Sequence, residues 1–136
     1  GIGRHDGTVY QIGRIVREYE GRGVICYGVY AQESAGEIAR HLRDYRLPLI
    51  GLLDPGLQLA LRTGARVTPE ACVLSPGGEV RYRGRIDDRA VKFGKVRVEP
   101  RVRDLREALE AVLGGRPVAQ KITPAIGCYL DFPTKP

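Results

Sequence analysis

The sequence has few of the residues that build disulfide scaffolds and metal centres. Only three of its 136 residues are cysteines, and Cys26, Cys72 and Cys128 are too few and too widely spaced for the disulfide framework of a small secreted protein. It contains no C-x-x-C pair and no Cys/His cluster with zinc spacing. We therefore expect no metal and no other cofactor, and the odd count leaves at least one thiol unpaired.

Long apolar runs are also absent. No segment approaches the roughly 20 apolar residues that cross a bilayer, and the first residues lack the charged, apolar and small-residue regions of a signal peptide. We therefore expect no membrane partner. The compartment stays open between cytoplasm and periplasm.

The length and the apolar content indicate one domain. A chain of 136 residues with 43% apolar residues can build one hydrophobic core. We predict that residues 1–115 form this domain. Residues 116–136 include four prolines, so we predict an irregular C-terminal extension there.

The net charge of +6 is concentrated in one stretch. Residues 79–103 hold nine basic and four acidic side chains, which accounts for five of the six net charges. A strand predicted over residues 80–86 would turn every second, charged side chain to solvent, and this explains much of the excess. We rank nucleic-acid binding through residues 79–103 last of three functional hypotheses.

Four helices are predicted from their start signals. Residues 8–11 and 34–37 each fit a capping box, in which a hydroxyl and a Glu or Gln side chain satisfy free backbone groups at a helix start. A short third helix follows Asp54-Pro55, a good N-cap and first-turn pair. A fourth helix covers residues 104–113 and ends at two glycines.

The strand pattern predicts a mixed sheet. Residues 24–30 are β-branched or aromatic without polar alternation, as expected of a strand covered on both faces. Residues 48–53 and 71–74 form further apolar strands, and residues 80–86 alternate. Alternation of helices with buried strands favours a parallel core, and the last hairpin adds an antiparallel strand.

A proline turn and several phrases carry a family resemblance. The Thr68-Pro69 turn enters the run from Ala71 to Val80. Three further phrases match the same group: Gly28–Tyr30, Tyr82–Asp88 and Asp104–Leu109. Together these features resemble the thioredoxin-like superfamily, specifically the redoxin group related to alkyl hydroperoxide reductases, over residues 8–128. The resemblance implies an α/β thioredoxin-like three-layer sandwich with a mixed sheet and a role in redox homeostasis.

The same resemblance implies a substrate site at the turn. In that group the corresponding proline has a cis peptide bond and lies beside the active thiol, and the backbone of the preceding residue pairs with an extended substrate. We therefore expect Thr68 and Pro69 to bind substrate, with Arg66 and Glu70 at the edge of the site.

The chain departs from the group at its start. Such proteins place a central strand before the first helix and a reactive cysteine at the helix N-terminus, where the dipole and free amides stabilise a thiolate. Here residues 1–7 contain no thiol and leave little room for a strand, so we expect a sheet that lacks its first central strand. Two explanations are open: a truncated form of a longer protein, or a member that has lost its chemistry. We favour truncation, because each buried unpaired backbone group costs about 1–3 kcal/mol.

The cysteines, the histidines and one pair of adjacent carboxylates are the remaining candidates for functional residues. Cys26 and Cys72 fall in apolar strands, where cysteine usually acts as a small core residue. Cys128 follows glycine in the tail, so we hypothesise a resolving or structural thiol there. His5 and His41 have no partner at metal or triad spacing, and we expect both at the surface. The adjacent carboxylates at positions 87 and 88 are expected to form a solvated turn.

Two functional hypotheses lead. The first is a redoxin-type thiol-disulfide oxidoreductase or thiol peroxidase domain that acts on a thiol or disulfide protein or on a peroxide. It would be inactive in this form, because both reactions need the cysteine that is absent before the first helix. The alternative is a non-catalytic thioredoxin-like module that binds proteins through the Thr68-Pro69 edge. An open sheet position also allows a homodimer.

Overall fold

The structure of the protein is a computed structural model that describes residues 7–92 and 95–133. The chain divides into two compact units, Gly1–Gln58 and Leu59–Pro136, where the sequence predicted one domain followed by an extension. The expectations about His5, and about a missing strand and thiol, concern residues that lie outside the described range. The side chain of Thr8, part of the first predicted capping box, lies outside it too.

Helices and short strands alternate along the chain, so this is a mixed α/β protein, as predicted. The helices are α1 (Gly7–Tyr19), α2 (Ala35–Asp44), α3 (Gln58–Thr63) and α4 (Asp104–Leu113). The described strands are β1 (Tyr27–Tyr30), β2 (Ile50–Leu53), β3 (Val67–Thr68), β4 (Ala71–Leu74), β5 (Val80–Gly84), β6 (Ala90–Lys92), β7 (Lys95–Val96) and β8 (Cys128–Tyr129).

In the first unit, α2 packs on a parallel pair of strands. Its capping box is confirmed, because the Ser34 hydroxyl accepts the Glu37 amide at 3.2 Å and the Glu37 carboxylate accepts the Ser34 amide at 3.0 Å. β1 and β2 pair in parallel with Gly28 opposite Gly51. A Cβ at position 51 would lie 2.7 Å from Cγ2 of Ile38, so glycine allows the helix to approach the sheet.

The prediction that the first strand is covered on both faces is wrong, and the strand paired with it is exposed on the same face. Alternate side chains of two paired strands share one face of the sheet. The four apolar side chains on the face opposite α2 are between 37% and 52% exposed: Tyr27, Val29, Ile50 and Leu52. Among the described residues β1 pairs only with β2, so its other edge has no strand partner there.

In the second unit, β4 and β5 form the predicted antiparallel hairpin. The turn between them closes through hydrogen bonds from the Ser75 amide to the Glu79 carbonyl and from the Gly78 amide to the Ser75 carbonyl, each 2.9 Å. α4 packs on the hairpin, and its inner side chains are buried: Ala108, Leu109 and Ala111. Tyr82, in the middle of β5, has no exposed surface.

The charged side of β5 is not simply a solvated face. The Arg83 guanidinium lies 3.3 Å from the Glu70 carboxylate, and Arg85 Nε lies 2.7 Å from Asp104 Oδ2. The two arginine side chains are 21% and 28% exposed, while their carboxylate partners are 5% and 3% exposed. The predicted wet side is therefore wrong for these residues, which hold the strand to neighbouring segments.

The segment after α4 contains pairing that the sequence did not predict. Ile122 forms a parallel bridge with Arg83 in β5, and β8 pairs antiparallel with β3. A single mixed sheet was expected, and the described strands instead form four two-stranded sheets. Several of these strands are only two to four residues long, and each described strand has one strand partner.

Candidate functional site

A turn between β3 and β4 carries the residues that the resemblance implicates. β3 ends at Thr68, and the Thr68–Pro69 peptide bond is cis, as predicted. Thr68 is exposed and Pro69 is half-buried. The turn therefore presents the backbone of β3 at the surface of the second unit.

Glu70 is turned inward and organises this turn. Its carboxylate oxygen Oε1 accepts the amides of Arg66 and Val67 at 2.9 and 3.3 Å. The other oxygen, Oε2, accepts Nη1 of Arg83, which also donates to the Gly64 carbonyl at 2.7 Å. Glu70 thus fixes the backbone before the proline, which is a positioning role, whereas the sequence placed it at the edge of a substrate site.

The tail brings Cys128 to the same place. In the antiparallel pair of β3 and β8, Cys128 lies opposite Thr68 and Tyr129 lies opposite Val67. The next amide, of Leu130, donates to the carbonyl of Arg66 at 2.9 Å. The tail therefore brings Cys128, a separate candidate in the sequence, to the turn where the resemblance had already placed Arg66, Thr68, Pro69 and Glu70 together.

Gly127 makes this approach possible. A Cβ at this position would overlap the Thr68 carbonyl oxygen and would lie 2.7 Å from the Thr68 carbonyl carbon and 3.1 Å from the Pro69 nitrogen. Only glycine therefore lets the tail lie against the turn in this arrangement. The Gly-Cys pair singled out in the sequence owes its glycine to this contact.

Upstream of β8 the tail is fastened to β5 by a buried hydroxyl network. The Tyr82 hydroxyl donates to the Arg85 carbonyl at 2.5 Å and lies 2.6 Å from Oγ1 of Thr123, which also accepts the Arg85 amide at 3.1 Å. Burial raises the pKa of Tyr82 to about 12. Thr123 is itself 4% exposed, so this part of the tail is an integral part of the unit.

Gly84 permits this second close approach. Its φ of 151° lies in a region that favours glycine, and a Cβ there would overlap Thr123 Oγ1 and lie 2.8 Å from the Thr123 amide nitrogen. Sequence reasoning missed Tyr82, Gly84 and Thr123 as tail anchors. The signal that could have found them is a glycine inside an otherwise regular strand, which often marks a close backbone approach.

The three cysteines are free thiols in different surroundings. Cys128 is exposed, as expected. Cys72 is exposed too, which corrects the prediction that it belongs to the core, because its side chain lies on the face of β4 opposite the buried Val73. Partial desolvation of the sulfur raises the pKa of the Cys72 thiol, and partial burial followed by the charge of Glu20 raises the pKa of the half-buried Cys26 thiol.

The basic stretch is partly neutralised by Asp88. Its carboxylate accepts the amides of Arg101 and Val102 at 2.6 and 2.9 Å and lies 3.8 Å from Nε of Arg97. Hydrogen bonds from the Val102 and Arg101 amides lower the pKa of Asp88. The expectation of a solvated turn at positions 87 and 88 is therefore wrong for Asp88. Arg83, Arg85 and Arg97 each lie beside a carboxylate, so these three cations of the stretch are already paired before any phosphate binds.

The first unit holds a polar cluster that the sequence analysis missed. The Tyr30 hydroxyl and Nδ1 of His41 are 2.9 Å apart, and the rings of His41 and Tyr45 lie with centroids 4.9 Å apart. Burial, and then the charge of Glu33, raises the pKa of Tyr30. His41 is thus half-buried and hydrogen-bonded, not a plain surface histidine. The i,i+4 spacing of His41 and Tyr45 was a usable signal, whereas Tyr30 comes from a different element.

The part of the chain that the structure describes offers neither a metal-binding cluster nor a membrane-spanning helix. No group of three or more His, Cys, Asp or Glu side chains there could hold a metal ion. No helix there is both long enough and apolar enough to cross a membrane.

Comparisons with known proteins bear on the fold. No protein-family model and no curated protein matches this chain. A solved structure of a hypothetical protein from Sinorhizobium meliloti 1021 is similar, with a TM-score of 0.78, 23% identity, and alignment over 93% of this chain and 72% of that one. An uncharacterized conserved protein from Geobacillus kaustophilus gives a TM-score of 0.77 and 23% identity over 95% and 70% of the two chains. At this identity the likeness shows a shared fold and nothing about activity.

Proposed function

We propose that this chain is a redoxin-type domain of thiol–disulfide chemistry in which Cys128 is the resolving thiol: by itself it exchanges with disulfides, whereas catalytic turnover needs the cysteine that the redoxin group places before its first helix. The observation that carries the proposal is the pairing of Cys128 with Thr68, which holds an exposed thiol beside the Thr68-Pro69 turn. Cys26 and Cys72 are weaker candidates, because their raised pKa leaves less thiolate at neutral pH.

The fold proposed with this function is a thioredoxin-like three-layer sandwich that lacks its first central strand. The order of the four helices and of β1, β2, β4 and β5 matches the order on which the resemblance rests, and β3, β6, β7 and β8 are additional short strands. β1 and β4 each have a strand partner on one edge only among the described residues, which is what the lack of a neighbouring strand would leave.

The chemistry available to a single exchanging thiol is limited. The Cys128 thiolate attacks one sulfur of a partner disulfide, a new S–S bond forms to Cys128, and the other partner sulfur leaves as a thiolate. A thiol of the partner then attacks the mixed disulfide and releases Cys128. Peroxide reduction would need a further thiol that becomes a sulfenic acid, which Cys128 would then resolve with loss of water.

A disulfide-exchange assay tests this proposal. The chain is mixed at pH 7 with 5,5′-dithiobis(2-nitrobenzoate), release of thionitrobenzoate is followed, and mass spectrometry identifies the modified cysteine. We expect Cys128 to react first, Cys128→Ser to lose the fast phase, and Cys72→Ser, the matched control at another exposed thiol, to keep it.

Comparison with a peptide of residues 124–133 tests whether the fold increases the reactivity of Cys128 beyond what its exposure alone explains. The folded chain holds this thiol in a fixed position, which reduces the conformational search that an incoming disulfide faces. We therefore expect Cys128 in the chain to exchange several-fold faster than the same thiol in the peptide. Equal rates, or modification of Cys72 before Cys128, would contradict the proposal.

A second candidate function is a non-catalytic protein-binding module. It is favoured by the fact that β3 already holds an extended segment, β8, through backbone pairing. Peptide binding that survives serine substitution of all three cysteines would support it. Binding that disappears with the thiols would leave thiol exchange as the better account.

A further inference from the structure

We propose that the backbone edge at residues 66–68 is an acceptor for an extended peptide. The tail segment 126–130 occupies this edge reversibly. Partner peptides replace the tail when they carry glycine at the position of Gly127. This inference rests on the binding-module candidate and needs no thiol chemistry.

The acceptor edge is short and preformed. The carboxylate of Glu70 accepts the amides of Arg66 and Val67, so these residues are held by a contact that does not involve the tail. The Arg66 carbonyl accepts the Leu130 amide and Thr68 pairs with Cys128, so this backbone takes up a neighbouring strand. A strand edge of this kind binds any extended chain that can approach it.

The tail has two parts that are held very differently. Residues 121–123 pair with Arg83 through two backbone hydrogen bonds of 2.8 and 3.1 Å, and Thr123 is buried against Tyr82. Over residues 124–133, the described part of the tail beyond Thr123, backbone pairing is limited to β8 and the Leu130 amide, and Tyr129 is 86% exposed. Segments with exposed hydrogen bonds and little burial open most easily, so the second part can leave while the first stays.

Recognition depends on few side chains. Gly127 faces the Thr68 carbonyl, where any Cβ would collide. Ile126 and Leu130 are half-buried, whereas Cys128 and Tyr129 are exposed. A partner segment therefore needs an apolar residue, then glycine, then two unrestricted positions, then a second apolar residue. Backbone hydrogen bonds supply the remainder of the contact.

Peptide binding to the full chain tests the proposal. The probe is a fluorescent peptide of residues 124–133 with serine in place of Cys128, and every protein carries Cys128→Ser, so that no disulfide can form. The parent chain carries Cys128→Ser alone. Its tethered tail competes with the labelled peptide for the acceptor edge at an effective concentration that is in the millimolar range for short linkers. The Gly127→Ala chain cannot seat its own tail, so we expect it to bind the peptide at least about tenfold tighter than the parent chain.

Two controls accompany this comparison. Gly21→Ala changes a glycine whose added Cβ meets nothing within 4 Å, and it should bind the peptide like the parent chain. Leu130→Pro removes the amide that donates to Arg66, and it should strengthen peptide binding by an independent route. A peptide with alanine in place of glycine should bind none of the proteins.

Hydrogen exchange shows whether the tail is released. The Leu130 amide should be protected in the parent chain and lose protection in Gly127→Ala, while the Thr123 amide stays protected in both. Retained protection at Leu130 overturns reversible occupancy. Release of the tail without peptide binding, or equal binding of the glycine and alanine peptides, overturns the acceptor site. The assay contains no thiol at position 128, so these outcomes leave the test of thiol exchange unaffected.

Discussion

The two units of this chain cover their strands in different ways. In the first unit, the face of β1 and β2 opposite α2 carries four apolar side chains with 37–52% of their surface exposed. In the second unit, Tyr82 on β5 has no exposed surface, and the polar groups around it are hydrogen-bonded or ion-paired. The difference shows that apolar strand sequences do not guarantee burial, whereas a strand with charged residues can become the best-packed one.

Tyr82 of β5 is buried and the β1–β2 pair is exposed on one face because these strands contact different neighbouring elements. β5 is flanked by β4, α4 and the tail. Arg83 of β5 reaches Glu70 in the turn before β4, and Arg85, directly after β5, reaches Asp104 at the start of α4. β1 and β2 meet each other and α2 on one face. A contiguous exposed apolar surface of this kind often marks an interaction site. Four predictions test this contrast.

The largest effect is expected at Tyr82. Replacement of a fully buried aromatic side chain by alanine costs about 3–5 kcal/mol, because the apolar contacts are lost and a cavity is left. Tyr82→Ala should therefore lower the free energy of unfolding by this amount, measured by urea denaturation. Tyr82→Phe keeps the ring and loses only the hydroxyl, so it should cost about 1–3 kcal/mol. Equal losses in both variants would mean that the hydroxyl network, not packing, stabilises β5.

A smaller effect is expected at Gly84. Alanine there adds a Cβ that overlaps Thr123 and forces an unfavourable φ, which together should cost about 1–3 kcal/mol. Gly78→Ala is the matched control, because Gly78 also has a positive φ of 87° but nothing within 4 Å of an added Cβ. Urea denaturation of both variants separates the collision from the backbone strain. A Gly84→Ala chain no less stable than Gly78→Ala would remove the tail contact from this account.

The next effect is a pH dependence at Asp88. Amide hydrogen bonds lower its pKa in the folded chain, and an unfolded Asp has a pKa of about 3.9. Its stabilisation is therefore complete above this unfolded value and is lost as the pH falls through the lowered folded pKa. Urea midpoints between about pH 2 and 6 should fall less steeply in Asp88→Asn than in the parent chain.

Glu37 provides the comparison from the first unit. Hydrogen bonds with Ser34 lower its pKa as well, so Glu37→Gln should change the acid dependence in the same direction. The change should be smaller, because Glu37 accepts one backbone amide and Asp88 accepts two. A larger effect for Glu37 would contradict this ranking.

The smallest effect is expected on the exposed face of the first unit. Ile50 is 51% exposed, so Ile50→Thr, which keeps a β-branched side chain, should change the free energy of unfolding by less than about 0.5 kcal/mol. The measurement is again urea denaturation. A loss as large as that of Tyr82→Phe would mean that this face is covered in solution.

Structural features that depend on residues close together in the sequence were predicted correctly. The Ser34 capping box, the turn at residues 75–78 and helix α4 follow from local hydrogen bonds and periodicity, and all three are present. Glu70 shows the limit of this reasoning. Its place beside the turn was foreseen, but the direction of its carboxylate depends on Arg83, which lies thirteen residues further along the chain.

The amino-acid sequence by itself determined the helices and the hairpin, because each depends on interactions within a few residues, whereas the cis proline turn was expected from the resemblance to the redoxin group. Tertiary structure alone decided that Cys128 lies opposite Thr68, that Thr123 is buried under Tyr82, and that the apolar face of β1 and β2 is exposed. These outcomes join residues up to 60 positions apart. Such contacts depend on which surfaces meet when the chain closes its loops, and local residue patterns carry no information about that.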